Sequence, residues 1–178
     1  MDTLKTIQTL AKVGKVLSHI VFVFSIVGFC LCAAGIVSLA LGGDTLQLGG
    51  TTIHGIIENE TDLNTPTLVS VIAVIMLYCA AEAVLSKFAE VYFKNELADG
   101  TPFTQRGANE LLRLGILIIA IPVGTVILAS IALSIADNFY PTIEKVSYDE
   151  YTSVGMGVMA IIMSLFCRHG AELQEGKN

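Results

Sequence analysis

A carboxylate set inside an apolar run could carry a proton or hold a cation, and Glu82 is placed that way in this chain. An ionisable group in hydrocarbon is costly and faces protein, water or a partner when it is kept. Tyr78 lies one helical turn earlier and could share its face. Glu82 also stands only five residues before Lys87, about 7 Å of helical rise from the polar boundary. It could therefore snorkel, or pair with Lys15, Lys87 or Arg113, and proton or substrate transfer is the sharper alternative. The other reactive side chains point to less. Cys30 and Cys32 are two residues apart, on different helix faces, and cannot serve one metal. With Cys79 and Cys167 they read as small buried hydrophobes. His19 and His169 fall at the same end of the first and last apolar runs, where facing histidines could ligate haem. No supporting motif accompanies them. Met156, Met159 and Met163 recur at helical spacing, which reads as core packing before it reads as a ligand set. No hydrolase triad, H-E-x-x-H, phosphate-binding loop or dinucleotide fingerprint is present. We expect no catalysis, no cofactor and no metal.

The elements that must position these residues are four apolar runs, over about 16–41, 67–88, 111–136 and 152–167. Runs of about 17–25 apolar residues are long enough to cross a bilayer as helices. With 53% hydrophobic residues in 178, the chain is too apolar for an ordinary soluble domain. Its polar segments are too short to hold a second domain. The fold class expected is an all-α membrane protein, a single four-span unit. The first run is far longer than the h-region of a signal peptide, about 7–15 residues, so an uncleaved anchor is expected.

The net charge of −6 hides a division. Nine of the ten basic residues lie in the N-terminal segment, the middle loop and the C-terminal tail, and Lys145 alone lies elsewhere. By the positive-inside rule both termini are cytoplasmic. The first and third loops then face outside, carrying Glu58, Glu60, Asp62, Asp149 and Glu150 among their acids. The cysteines avoid those loops, where an oxidising compartment would form disulfides.

Residues 1–15 read as an amphipathic helix along the inner leaflet, with Leu4, Ile7, Leu10, Ala11 and Gly14 on one face and Lys5, Lys12 and Lys15 off it. In the first outer loop, 45–48 and 51–57 flank Gly49-Gly50 and predict a small extracytoplasmic β-hairpin. It should pack on the second outer loop, whose aromatics are Phe139, Tyr140, Tyr148 and Tyr151. Asn59-Glu60-Thr61 matches a weak glycosylation sequon. In the spans, Gly28, Cys32 and Gly35, then Gly115, Gly124, Ser130 and Ser134, mark places where helices can approach closely, within the chain or between copies. Pro122 should kink the third span.

The middle loop is the best-defined local motif. The second helix should run to about Ala98, and Gly100 can supply the left-handed residue that ends it. Thr104 can cap the helix that runs through Arg113 into span three. Phe103 precedes that cap and could pack back on Leu97 or Ala108. This is a rigid elbow, or a docking surface built on one.

The segment Leu97-Ala98-Asp99-Gly100-Thr101-Pro102-Phe103-Thr104, followed by Leu111-Leu112-Arg113-Leu114-Gly115, resembles a signature of a bacterial four-helix membrane family, L-x-x-G-x-P-F-[ST] … L-R-x-x-G. That family is catalogued as domain of unknown function 2975. The tail Phe166-Cys167-Arg168-His169-Gly170-Ala171-Glu172-Leu173-Gln174-Glu175 resembles the family's F-x-x-G-x-x-L-Q-E ending. Span count agrees over nearly the whole chain. Relatives often continue beyond this tail with an acidic stretch, whereas here Gly176-Lys177-Asn178 follow. The family has no established activity, and its genes often neighbour a small helix-turn-helix regulator. The resemblance implies a membrane sensor or tether for such a cytoplasmic partner.

Gly100, Pro102, Phe103, Thr104, Arg113, Gly170 and Leu173 would then form the docking surface, with no direct nucleic-acid binding, since no basic stripe is present. Membrane lipids and further copies of the chain are the other expected partners. The alternative function is a small oligomeric transporter, or an immunity protein against a cationic peptide. There the acidic loops would concentrate cations and Glu82 would be the embedded carboxylate.

Overall fold

The computed structural model describes residues 2–40, 47–48, 51–52, 65–139 and 152–175. They form the helices α1 (Asp2–Ala40), α2 (Thr65–Asp99), α3 (Gln105–Phe139) and α4 (Thr152–Glu175). Two-residue strands β1 (Gln47–Leu48) and β2 (Thr51–Thr52) lie between α1 and α2 and pair antiparallel, Gln47 with Thr52 and Leu48 with Thr51. The rest of the hairpin expected over 45–57 lies outside the described residues. All four helices are long and apolar enough to cross a membrane.

Length separates the spanning part of each helix from what projects beyond it. The 39 residues of α1 reach about 58 Å and the 35 of α2 and of α3 about 52 Å, against a hydrocarbon core of about 30 Å. About 28 Å of α1 and about 22 Å of α2 and of α3 exceed that core, and the start of α1 meets the α2–α3 elbow through Gln8. The separate helix expected over 1–15 is therefore corrected: α1 runs unbroken through Gly14. Gly14 is not a break because the space a side chain would fill holds the Phe93 ring of α2, 2.6 Å from an ideal Cβ. Of the expected apolar face, Ala11 is buried, whereas Leu10 is exposed.

Each helix packs on its neighbours in the chain, α1 on α2, α2 on α3 and α3 on α4. Among the described residues α1 approaches neither α3 nor α4, so the bundle is open along one side of α2. Its interior mixes small and hydroxyl-bearing side chains, Ala11, Ala83, Ala108, Ala129 and Ala171 with Ser25, Ser86, Thr125 and Ser164, with the larger Leu39, Ile72, Val74, Tyr92 and Leu114. Many large apolar residues point outward, Phe24 at 72% exposure and Phe166 at 65%. Apolar surface gains nothing by leaving lipid, so small residues that let backbones approach are favoured at helix contacts. The hydroxyls bond their own helix, Thr125 donating to the Ile121 carbonyl at 2.8 Å and Ser164 to that of Ile161 at 2.6 Å.

At Gly115 and Gly157 the backbones of α3 and α4 approach closely. A Cβ on Gly115 would stand 3.1 Å from the Gly157 carbonyl oxygen, and one on Gly157 would stand 2.9 Å from that of Gly115. The other expected contacts of span three fall elsewhere: nothing lies within 4 Å of a Cβ on Gly124, and Ser130 and Ser134 are exposed. Thr125 and Ala129 are the buried residues there. The methionine stripe also needs correction. Met156, Met159 and Met163 are 65%, 63% and 52% exposed, because Gly157, Ser164, Cys167 and Ala171 present the face of α4 that is buried.

Candidate functional site

The elbow has the most specific geometry among the described residues. Gly100 sits at φ 74°, and its N–H donates to the Glu96 carbonyl at 3.0 Å, ending α2 with a left-handed residue. Thr104 precedes α3, and its Oγ1 accepts the Gly107 N–H at 2.9 Å. That is an N-cap bond to the third helical residue. The Thr104 hydroxyl also donates to Asp99 at 3.4 Å, across the turn it closes. Pro102 is half-buried, and its carbonyl lies 3.1 Å from where a Gly107 side chain would begin, so the turn folds tightly over the start of α3.

Two other segments close on this elbow. Gln8 of α1 donates to the Gly100 carbonyl at 3.3 Å. From α4, Gly170 approaches so closely that its Cβ would meet the Phe103 ring at 2.8 Å. Phe103, expected to pack on Leu97 or Ala108, meets the tail, where the missing side chain of Gly170 admits its ring. Asn95 bridges α2 to α3, donating to both Glu110 oxygens at 2.9 and 3.0 Å, while Arg106 donates to Oε1 of the same carboxylate at 3.0 Å. Leu173 ends this surface with 58% of its area exposed. The elbow, the start of α1 and the end of α4 therefore form one continuous platform.

Gly100, Pro102, Phe103, Thr104, Gly170 and Leu173 all belong to it. Arg113 lies two turns into α3, with its guanidinium 5.2 Å above the Phe88 ring. Gln8, Asn95 and Glu110 were not foreseen. The Arg106–Glu110 spacing at i,i+4 was a readable signal, but nothing local marks Gln8 or Asn95, whose partners are distant in the chain.

Glu82 lies apart from the platform, on the seam between α1 and α2. Its carboxylate is exposed at the side of the bundle and accepts a long 3.5 Å hydrogen bond from the buried Ser25 hydroxyl. The expected pairing with Lys15, Lys87 or Arg113 is not formed. Lys87 instead pairs with Glu90 at 2.9 Å, and Glu90 also meets His19 at 3.5 Å. Gly28, Cys32 and Cys79 share the seam with Ser25; a Cβ on Gly28 would stand 3.0 Å from the Cys79 sulfur. Tyr78 is half-buried one turn from Glu82. His169 is exposed on α4, and no group of three metal-ligating side chains occurs among the described residues. Glu58, Glu60, Asp62, Asp149 and Glu150 lie outside the described residues. No protein-family model, curated protein or solved structure matches this chain.

Proposed function

We propose that this chain is a non-enzymatic, multi-pass protein of the bacterial cytoplasmic membrane that senses an external condition and tethers a cytoplasmic regulator of the helix-turn-helix class. The observation that carries the reading is the platform, on which Gln8, the capped elbow and Gly170 converge. The division of basic residues supports both termini on the cytoplasmic side, which puts the platform there too. The acidic first and third loops, with the short hairpin in the first, would then face outside. The elbow and tail signatures, similar to those of the four-helix family named above, point to the same kind of partner.

The test is retention of the regulator by tagged protein purified in mild detergent. Leu173→Asp places a charge on an exposed position and leaves the packing intact. Loss of an apolar anchor worth about 2 kcal/mol lowers retention roughly thirtyfold. Normal retention by both Leu173→Asp and Phe103→Ala, at normal expression, would overturn the tether.

The exposure of Glu82 without an ionic partner favours a second reading, a small oligomeric transporter or an immunity protein against a cationic peptide. The small-residue contacts at Gly28 and at Gly115–Gly157 are used within the chain. Copies would therefore meet through other faces, including that of Glu82. Loss of uptake or resistance in Glu82→Gln would favour this reading, and unchanged phenotypes would dispose of it.

A further inference from the structure

Because α1 and α3 do not meet, α2 is left as the floor of an open groove of about 590 Å³. Ala80, Ala83, Val84 and Phe88 are among the α2 residues of the floor, and Phe29 and Leu117 belong to opposite walls. Along α2 it runs from Ala80 to Tyr92, about 18 Å of helical rise. It is apolar from Ala80 to Val84 and carries its charged side chains in the half toward the elbow, among Phe88, Val91 and Tyr92. There Lys87 lies 5.2 Å over the Phe22 ring and Arg113 lies 5.2 Å over that of Phe88. Glu110 also lines this end, but Arg106 and Asn95 hold its carboxylate. Glu90 holds Lys87 on one side at 2.9 Å. Among the described residues no carboxylate pairs with Arg113.

We propose that this groove is a binding site for one anionic phospholipid. Its phosphate sits between Lys87 and Arg113, and one acyl chain lies along Ala80 and Ala83 between Phe29 and Leu117. Charge complementarity selects the occupant: a slot with apolar walls and two cations at one mouth fits an amphiphile with an anionic head. Its depth fits the same occupant, since Ala80 lies about 10 Å of helical rise from Lys87 on the hydrocarbon side. The site does not depend on the tethered regulator.

The chain contains no tryptophan, so Phe29→Trp puts a sole tryptophan, excited selectively at 295 nm, on the groove wall. The variant is reconstituted in vesicles of phosphatidylglycerol and phosphatidylcholine, with one or the other brominated along its acyl chains. Quenching should show phosphatidylglycerol preferred roughly twenty-five-fold, since each of the two basic residues contributes about a factor of five in attraction of an anionic headgroup. In the Phe29→Trp protein carrying Lys87→Gln and Arg113→Gln, the preference should fall to unity. Equal quenching by both lipids in the single variant would overturn the site, as would protection from both lipids by a second copy. Should the triple variant fail to fold, the preference of Phe29→Trp alone decides: a lipid preference that 0.5 M salt does not weaken would also overturn the two-cation mouth.

Discussion

A carboxylate on the lipid-facing side of a span costs free energy that a single long hydrogen bond from Ser25 does not offset. Glu82→Gln should therefore hold or raise the unfolding midpoint in nanodiscs, by the equivalent of about 1 kcal/mol. A fall of that size would mean that the acid has a stabilising partner. Gly157 bears the opposite kind of constraint. A side chain there would meet Ile119 and the Gly115 carbonyl, so Gly157→Val should destabilise the α3–α4 pair by about 1–3 kcal/mol. Gly124→Ala has open space around it and should instead stabilise by about 1 kcal/mol through helix propensity. Denaturation in mixed micelles reads both. That Gly115 is a helix contact was legible, but that α4 is its partner and that Gly124 meets nothing were beyond the sequence, since both are small residues in an apolar helix.

At the scale of elements, the elbow was the most legible part because its signals are local. A left-handed position calls for glycine, and a helix start calls for a side-chain oxygen, whatever lies nearby. Thr104→Ala should cost about 1 kcal/mol and Gly100→Ala about 1–2 kcal/mol, the penalty for a Cβ at positive φ. Hydrogen exchange over 100–108 should rise in both variants, and unchanged protection would contradict the capping role. The methionine stripe of α4 and the long α1 were not legible, for one physical reason. A helix apolar all round carries little angular information, so which face meets a neighbour is decided by small residues on the partner. Phe93 settles into the gap at Gly14, and Phe103 into the gap at Gly170. Neither pairing is visible within one helix.

For the whole molecule, the charge division predicts an orientation that fusions can check. A fluorescent protein joined after Asn178 should fold and fluoresce, and alkaline phosphatase joined after Asp62 should be active. The reverse pattern would put the platform outside. Small residues at the helix contacts, many large apolar residues outside and an open side along α2 suit a protein whose solvent is lipid. The projecting ends of α1, α2 and α3 then place about 22–28 Å of helical structure beyond the hydrocarbon, where a soluble partner can reach it. The most direct measurement is site-specific photo-crosslinking in native membranes, with the photoreactive residue at Leu173 and, as a control, at Met159. The expected result is a covalent adduct at 173 with one soluble helix-turn-helix protein, identified by mass spectrometry, and none with it at 159. Adducts at 173 only with lipid or with further copies of the chain would contradict the tether.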